Sequence, residues 1–307
     1  MVAGSLHERG PFRTALALVQ LLLLARTPPC ACAAVPYEHQ KHDAAESAHK
    51  EHRCAPVRPF PPIRLRLDVG GLLAQLGLVG NAVELGVQRG NFTRVVLEGW
   101  KRCTEYVQVD LWRQQQNYAD IANLDDRLHS MLRETARATL QEMVARGYAR
   151  AGTQCANYTS VCAQRYPESH FQFVYVDARH DRLGVLQDLH QWWPKLQRGG
   201  LMCGHDYTEQ SEPAGDVELI STRRAGAGAV LTRKNWPLDP QRTRQDWRLN
   251  FDGSRDETGR AVKGAVDDFF AGLARGPYGS PHELQRCPRQ VVVSYRESGW
   301  NTWCVRK

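Results

Sequence analysis

Between Ala82 and Asp110 the chain carries an acid, a pair of glycines and a second acid, in an order suited to a ligand with both positive charge and vicinal hydroxyls. Glu84 and Gly86 close a short β-branched run, Gly90 ends the turn that follows, and Asp110 ends the next apolar run. Glycines let a ligand approach the backbone closely. A carboxylate at a strand end accepts the hydroxyls of a ribose. A dinucleotide turn would read G-x-G-x-x-G against a pyrophosphate, which Glu84 would repel. A carboxylate instead suits a cationic amino-acid moiety, so this spacing favours S-adenosylmethionine over a nicotinamide dinucleotide. A second polar group, Asp177, His180, His205 and Asp206, follows the apolar runs Phe173–Val176 and Leu201–Cys203. Carboxylates and imidazoles together suit a divalent cation, and an imidazole titrating near neutral pH suits general-base work.

These residues require strands that end on one edge of a sheet. The hydrophobic pattern predicts strands over Ala82–Val87, Tyr106–Val109, Phe173–Val176 and Leu201–Cys203, with a weak one over Ala149–Gln154. Helical spacing runs over Asn91–Trp100, Asp125–Tyr148, Ala156–Arg165, Leu183–Trp193 and Ala261–Leu273. Pro194 and the Gly199-Gly200 pair stop the fourth of these. Arg289–Tyr295 and Asn301–Val305 are joined by a turn at Glu297-Ser298-Gly299, and so short a connection makes them antiparallel. Alternating strands and helices closed by one hairpin specify an α/β fold, a mostly parallel sheet with helices on both faces.

The segments VELGVQRGNF, VQVDLW, QQNYADIAN, FVYVDARHDRLGVLQDLHQWWPKL and GGLMCGHDY resemble the class I S-adenosylmethionine-dependent methyltransferases. Within them the chain is similar to the group called methyltransferase domain 24, related to catechol-type O-methyltransferases. The resemblance implies a Rossmann-like sheet of seven strands in the order 3-2-1-4-5-7-6. It implies that Glu84, Gly86, Gly90, Asn91, Phe92, Asp110, Leu111 and Asp177 bind the cofactor. It also implies a Mg²⁺ or Mn²⁺ site on Asp177, His205 and Asp206, with Asp177 catalytic, on a small-molecule hydroxyl substrate, while the near-neutral imidazole of His180 suits a catalytic base. Where relatives carry a lysine base, this chain has His180, a departure from the family pattern. Two other readings stay open: a cofactor-binding protein without activity, and an oxygenase like the cephalosporin hydroxylases, which share the fold.

Residues 63–307 are expected to form the methyltransferase domain, with an insert at 209–260 that shapes a substrate lid. Residues 1–34 read as a signal peptide: Arg9 and Arg13 precede the apolar run Ala15–Ala25, and small residues at Ala31-Cys32-Ala33-Ala34 offer a cleavage site. The run is shorter than the ~20 residues of a membrane span, so no span is expected after cleavage. Residues 35–62, rich in His and Pro, read as a solvated linker. The leader points to the secretory pathway or, as the first half of a two-part signal, to a plastid. In a lumen, Asn91-Phe92-Thr93 and Asn157-Tyr158-Thr159 become glycosylation sequons. Nine cysteines fall to seven without Cys30 and Cys32, and their spacing fits no zinc pattern. Cys54 and the Cys155/Cys162 pair are disulfide candidates, whereas Cys203 reads as a plain core residue. The net charge is +7, but no basic block alternates with aromatics, so no nucleic-acid partner is expected.

Overall fold

The computed structural model describes residues 60–209, 246–272, 289–297 and 299–307, all within the compact unit His52–Lys307. The leader, nearly all of the linker, Cys54, Cys287 and residues 210–245 of the insert lie outside the described residues. Among the described residues no helix is long and apolar enough to cross a membrane.

Seven strands form one sheet in the order β3-β2-β1-β4-β5-β7-β6, as expected. They are β1 (Gly80–Leu85), β2 (Cys103–Asp110), β3 (Ala149–Ala156), β4 (Phe171–Val176), β5 (Leu196–Gly204), β6 (Val292–Val293) and β7 (Trp303–Arg306). The first five pair in parallel, and β7 runs antiparallel to both β5 and β6. The helices are α1 (Val69–Gln75), α2 (Asn91–Gly99), α3 (Asp126–Ala145), α4 (Thr159–Ala163), α5 (Arg182–Trp192) and α6 (Val262–Phe270), preceded by a 3-10 turn at Arg66–Asp68. Neither α1 nor this turn has a counterpart in the sequence expectations.

Alternation along the central strands feeds two cores. Val83, Leu85, Val174, Val176 and Met202 face α5 and α6, packing with Val185, Leu189, Trp192, Val266 and Phe270. Ala82, Tyr106, Phe173, Tyr175 and Leu201 face the other way, packing with Leu73, Phe92, Val96, Leu97 and Met143. Both faces are covered, which is why these strands read as nearly unbroken apolar runs. Asp125 caps α3 by accepting from the Leu128 N–H at 2.9 Å, and Asp181 caps α5 by accepting from the Gly184 N–H at 3.0 Å.

The C-terminal pairing is shorter than expected on its outer side: Arg289–Tyr295 yields only Val292–Val293 as strand. Cys203 proves to be more than a core residue. The register of β5 with β7 sets it directly opposite Cys304, and the two form a disulfide. Cys155 and Cys162 are bonded as expected, while Cys103 is free and buried.

Candidate active site

Gly86 sits where β1 and β4 end side by side. Its φ is 81°, and a Cβ there would lie 1.8 Å from the Asp177 carbonyl oxygen, so only glycine fits. Asp110, at the end of β2, braces the same turn. Its Oδ2 accepts from the backbone N–H groups of Val87 and Gln88, each at 2.8 Å, and its Oδ1 from that of Trp112 at 2.8 Å. The turn therefore opens onto a cavity of about 1300 Å³, lined here by Gly86, Asn91, Phe92, Asp110 and Leu111.

Glu84 lies differently from the sequence expectation. It is 1% exposed and behind the cavity wall, accepting hydrogen bonds from the Thr93 and Tyr106 hydroxyls. Burial pushes its carboxyl up to about 8, against the pull of those two hydroxyls and of Arg66. Its polar partners are thus side chains of this protein, the two hydroxyls with Arg66 nearby. Gly90 also stays off the cavity wall and serves as the N-cap of α2 with φ 82°.

Beside the turn, Asp177 directly follows β4, and His205 and Asp206 follow β5. Asp206 adopts a φ of 54°, a left-handed conformation that aspartate tolerates better than most residues. His180, in the loop between β4 and α5, stands between three carboxylates. Its Nδ1 lies 2.9 Å from Asp120 Oδ2, and its Nε2 lies 2.9 Å from Asp206 Oδ2 and 3.5 Å from Asp177 Oδ1. Nε2 is buried and aligned with neither oxygen for a hydrogen bond. His205 approaches the other oxygen of Asp206, its Nδ1 at 2.9 Å from Oδ1. Burial alone would lower the His180 imidazole, but Tyr118, Asp206 and Asp120 outweigh it and hold it well above its usual value. The same contacts work in reverse on Asp206: burial would raise it, yet His205 and His180 hold it well below the usual carboxylate range. These neighbours favour the protonated imidazole of His180, and in that form it has no lone pair with which to take a further proton.

Asp120, Tyr118 and Arg66, which had no assigned role in the sequence reading, complete this centre together with Trp247 of the insert expected to shape a lid. Asp120 comes from the loop after β2 and is held by the Ala122 N–H at 2.7 Å and the Trp247 indole N–H at 2.7 Å. Arg179 pins that loop to the site by donating to the Asn117 carbonyl at 2.7 Å and lying 4.5 Å over the Tyr118 ring. Trp247, Phe251 and Trp300 line the same end of the cavity, so the described part of the insert does border the site. The one available signal was QQNYADIAN, whose polar residues between β2 and α3 carry no periodicity of either kind.

The donor set decides whether a divalent cation fits. One ligand atom from each of Asp177, His180 and Asp206 lies within 4.8 Å of the others. This trio differs from the expected one by exchanging His205 for His180. Asp120 at Nδ1 leaves Nε2 turned to the carboxylates, the carboxylate–histidine arrangement that orients metal ligands. The residues fit a hard or borderline divalent ion.

Residues 83–207 match a family model described as a methyltransferase domain. Among solved structures, the chain is similar to an O-methyltransferase from Bacillus cereus in complex with SAH, at 13% identity over 79% of this chain and 80% of that one, with a TM-score of 0.42. It is also similar to the O-methyltransferase TomG from Streptomyces achromogenes, involved in tomaymycin synthesis and in complex with SAM, at 10% identity over 79% of each chain and a TM-score of 0.42. No curated protein matches.

Proposed function

We propose that this chain, whose residues 83–207 match a family model described as a methyltransferase domain, transfers the methyl group of S-adenosylmethionine to a hydroxyl of a small molecule. One observation carries this reading: the glycine turn braced by Asp110 opens onto the same cavity as Asp177, His180, His205 and Asp206. A cofactor on the turn and an acceptor on the acid–histidine cluster would then meet inside one enclosure. Holding the reacting atoms in line is the main service such a site renders, since the sulfonium already carries the leaving group.

Asp110 would accept a ribose hydroxyl with the lone pair left over from its three backbone bonds. Gly86 lets the cofactor lie against the strand ends. Trp247, Phe251 and Trp300 keep water from the acceptor. A Mg²⁺ or Mn²⁺ ion on Asp177, His180 and Asp206 would lower the pKa of an acceptor hydroxyl and stabilise the oxygen anion. His180 would take that role in its neutral form, Nδ1 held by Asp120 and the Nε2 proton displaced by the ion. His205, whose Nδ1 lies 2.9 Å from Asp206 Oδ1, would then receive the acceptor's proton. With no ion, the His180 imidazolium would itself supply positive charge beside the forming anion.

Incubation with methyl-labelled S-adenosylmethionine and a panel of hydroxylated metabolites tests the reading. Label should appear in an acceptor, fall away in excess EDTA and return with Mg²⁺ or Mn²⁺. Full activity in EDTA, with loss on replacing either histidine, would replace the ion by the imidazoles alone. Binding of the cofactor with no label transferred to any acceptor would favour the non-catalytic reading, and O₂ or 2-oxoglutarate dependence the oxygenase one. We place the mature protein in the secretory pathway, a reading that the leader and the two described disulfides support.

A further inference from the structure

Arg66 precedes the matched methyltransferase region, and nothing in the glycine-turn pattern calls for it. Its position is nevertheless built. The backbone N–H of Arg66 donates to Glu297 Oε1 at 2.6 Å, and the Tyr295 and Arg296 N–H groups donate to the Ile63 and Arg64 carbonyls at 3.2 and 3.0 Å. The 3-10 turn is thereby fastened to the end of the chain. Its guanidinium lies 4.7 Å over the Phe92 ring and 5.2 Å from that of Tyr175, and donates from Nη2 to Asp177 Oδ2 at 2.7 Å. Nε and Nη1 have no hydrogen-bond partner among the described residues, and Nε is buried. The side chain is 27% exposed and lines the cavity beside Gly86 and Phe92.

An adenosyl cofactor with its ribose at Asp110 must direct its amino-acid end past Gly86 towards this corner. That end is a zwitterion, and its carboxylate needs a cation there. Phe92 lies in the first turn of α2, where backbone N–H groups lack intrahelical partners and favour an anion. Arg66 covers that turn with donors to spare, in the planar fork that matches a carboxylate. We propose that Arg66 binds the carboxylate of the cofactor's amino-acid end, and so makes the site selective for an amino-acid-bearing adenosyl ligand. The proposal rests on the cofactor reading above. The alternative is that Arg66 only neutralises Asp177, Glu84 and Asp206, in which case it would not distinguish ligands by their carboxylate.

Calorimetry with S-adenosylhomocysteine and its decarboxylated analogue separates the two. Loss of a charge-assisted pair predicts that the full-length protein binds the first roughly 10- to 100-fold tighter. In Arg66→Ala that preference should shrink to within about threefold, and Arg66→Lys should retain part of it. Equal binding of both ligands to the unmodified protein would overturn the proposal, even if the alanine variant failed to fold. So would an unchanged preference in a folded Arg66→Ala protein. Binding of neither ligand to the unmodified protein would overturn the cofactor reading itself, and this proposal with it.

Discussion

Asp120 holds one nitrogen of His180 while Asp177 and Asp206 face the other, so the imidazole's orientation depends on a residue from a distant loop. Asp120→Asn keeps the shape and the Ala122 contact but removes the charge. It should lower Mn²⁺ affinity or turnover by about 10- to 100-fold, the usual effect of losing a partner behind a metal-ligating histidine; a Mn²⁺ titration reads it directly. Asp188 on α5 supplies a prediction of another kind. Burial pushes its carboxyl up to about 7, against a hydrogen bond from Thr159. Its folded value lies above the unfolded one, so the folded protein binds more protons, and this group's contribution to stability falls as pH rises from about 4 to 7. Thermal melts of Asp188→Asn should therefore show a stability gain at pH 8 relative to pH 5, of at most about 4 kcal/mol by the cost of three pKa units. Asp177 and Asp206 were legible in the sequence because each follows a buried strand, the one place where a parallel sheet presents polar groups to a ligand. Arg66 and Asp120 were not. Their partners lie 111 and 60 residues away, and no local period marks such a contact.

Apart from α1 and the 3-10 turn, strand and helix identities followed from periodicity, because the apolar runs are buried on both faces and α2, α3 and α6 each bury one apolar stripe. Boundaries shifted where tertiary pairing extends a strand past its apolar part, as in β2, which begins at Cys103 rather than Tyr106. The Cys203–Cys304 link arises at this scale too, from the register of β5 with β7, which no reading of either strand alone provides. It joins residues 101 apart, whereas Cys155 and Cys162 are 7 apart. Loop-closure entropy then assigns about 4.7 kcal/mol to the long link and about 2.4 to the short one. Denaturant melts of the Cys203→Ala/Cys304→Ala and Cys155→Ala/Cys162→Ala double variants should rank in that order. Equal losses would show that strain or residual structure, not loop length, governs both.

At the scale of the whole molecule, the glycine turn, the acid–histidine cluster and the aromatic wall share one cavity, with a sequon at each of two places on its lining. Asn91 and Asn157 both border it, and a glycan at Asn91 would meet the ligand's path. Intact-mass analysis of active protein expressed through a secretory route should find Asn91 unmodified. A glycan there in active protein would move the cofactor off the turn. The resemblance to methyltransferases, legible in five short segments, is borne out by the match over residues 83–207. The lid, the linker and the leader were read from stretches largely outside the described residues and remain proposals. The most direct measurement of the central claim is a calorimetric titration of S-adenosylhomocysteine into the unmodified protein and into Asp110→Ala. The account predicts saturable binding to the first, weakened by roughly 1–3 kcal/mol in the second as the ribose loses its acceptor and the turn its brace. No binding to the unmodified protein, or equal affinity in both, would contradict it.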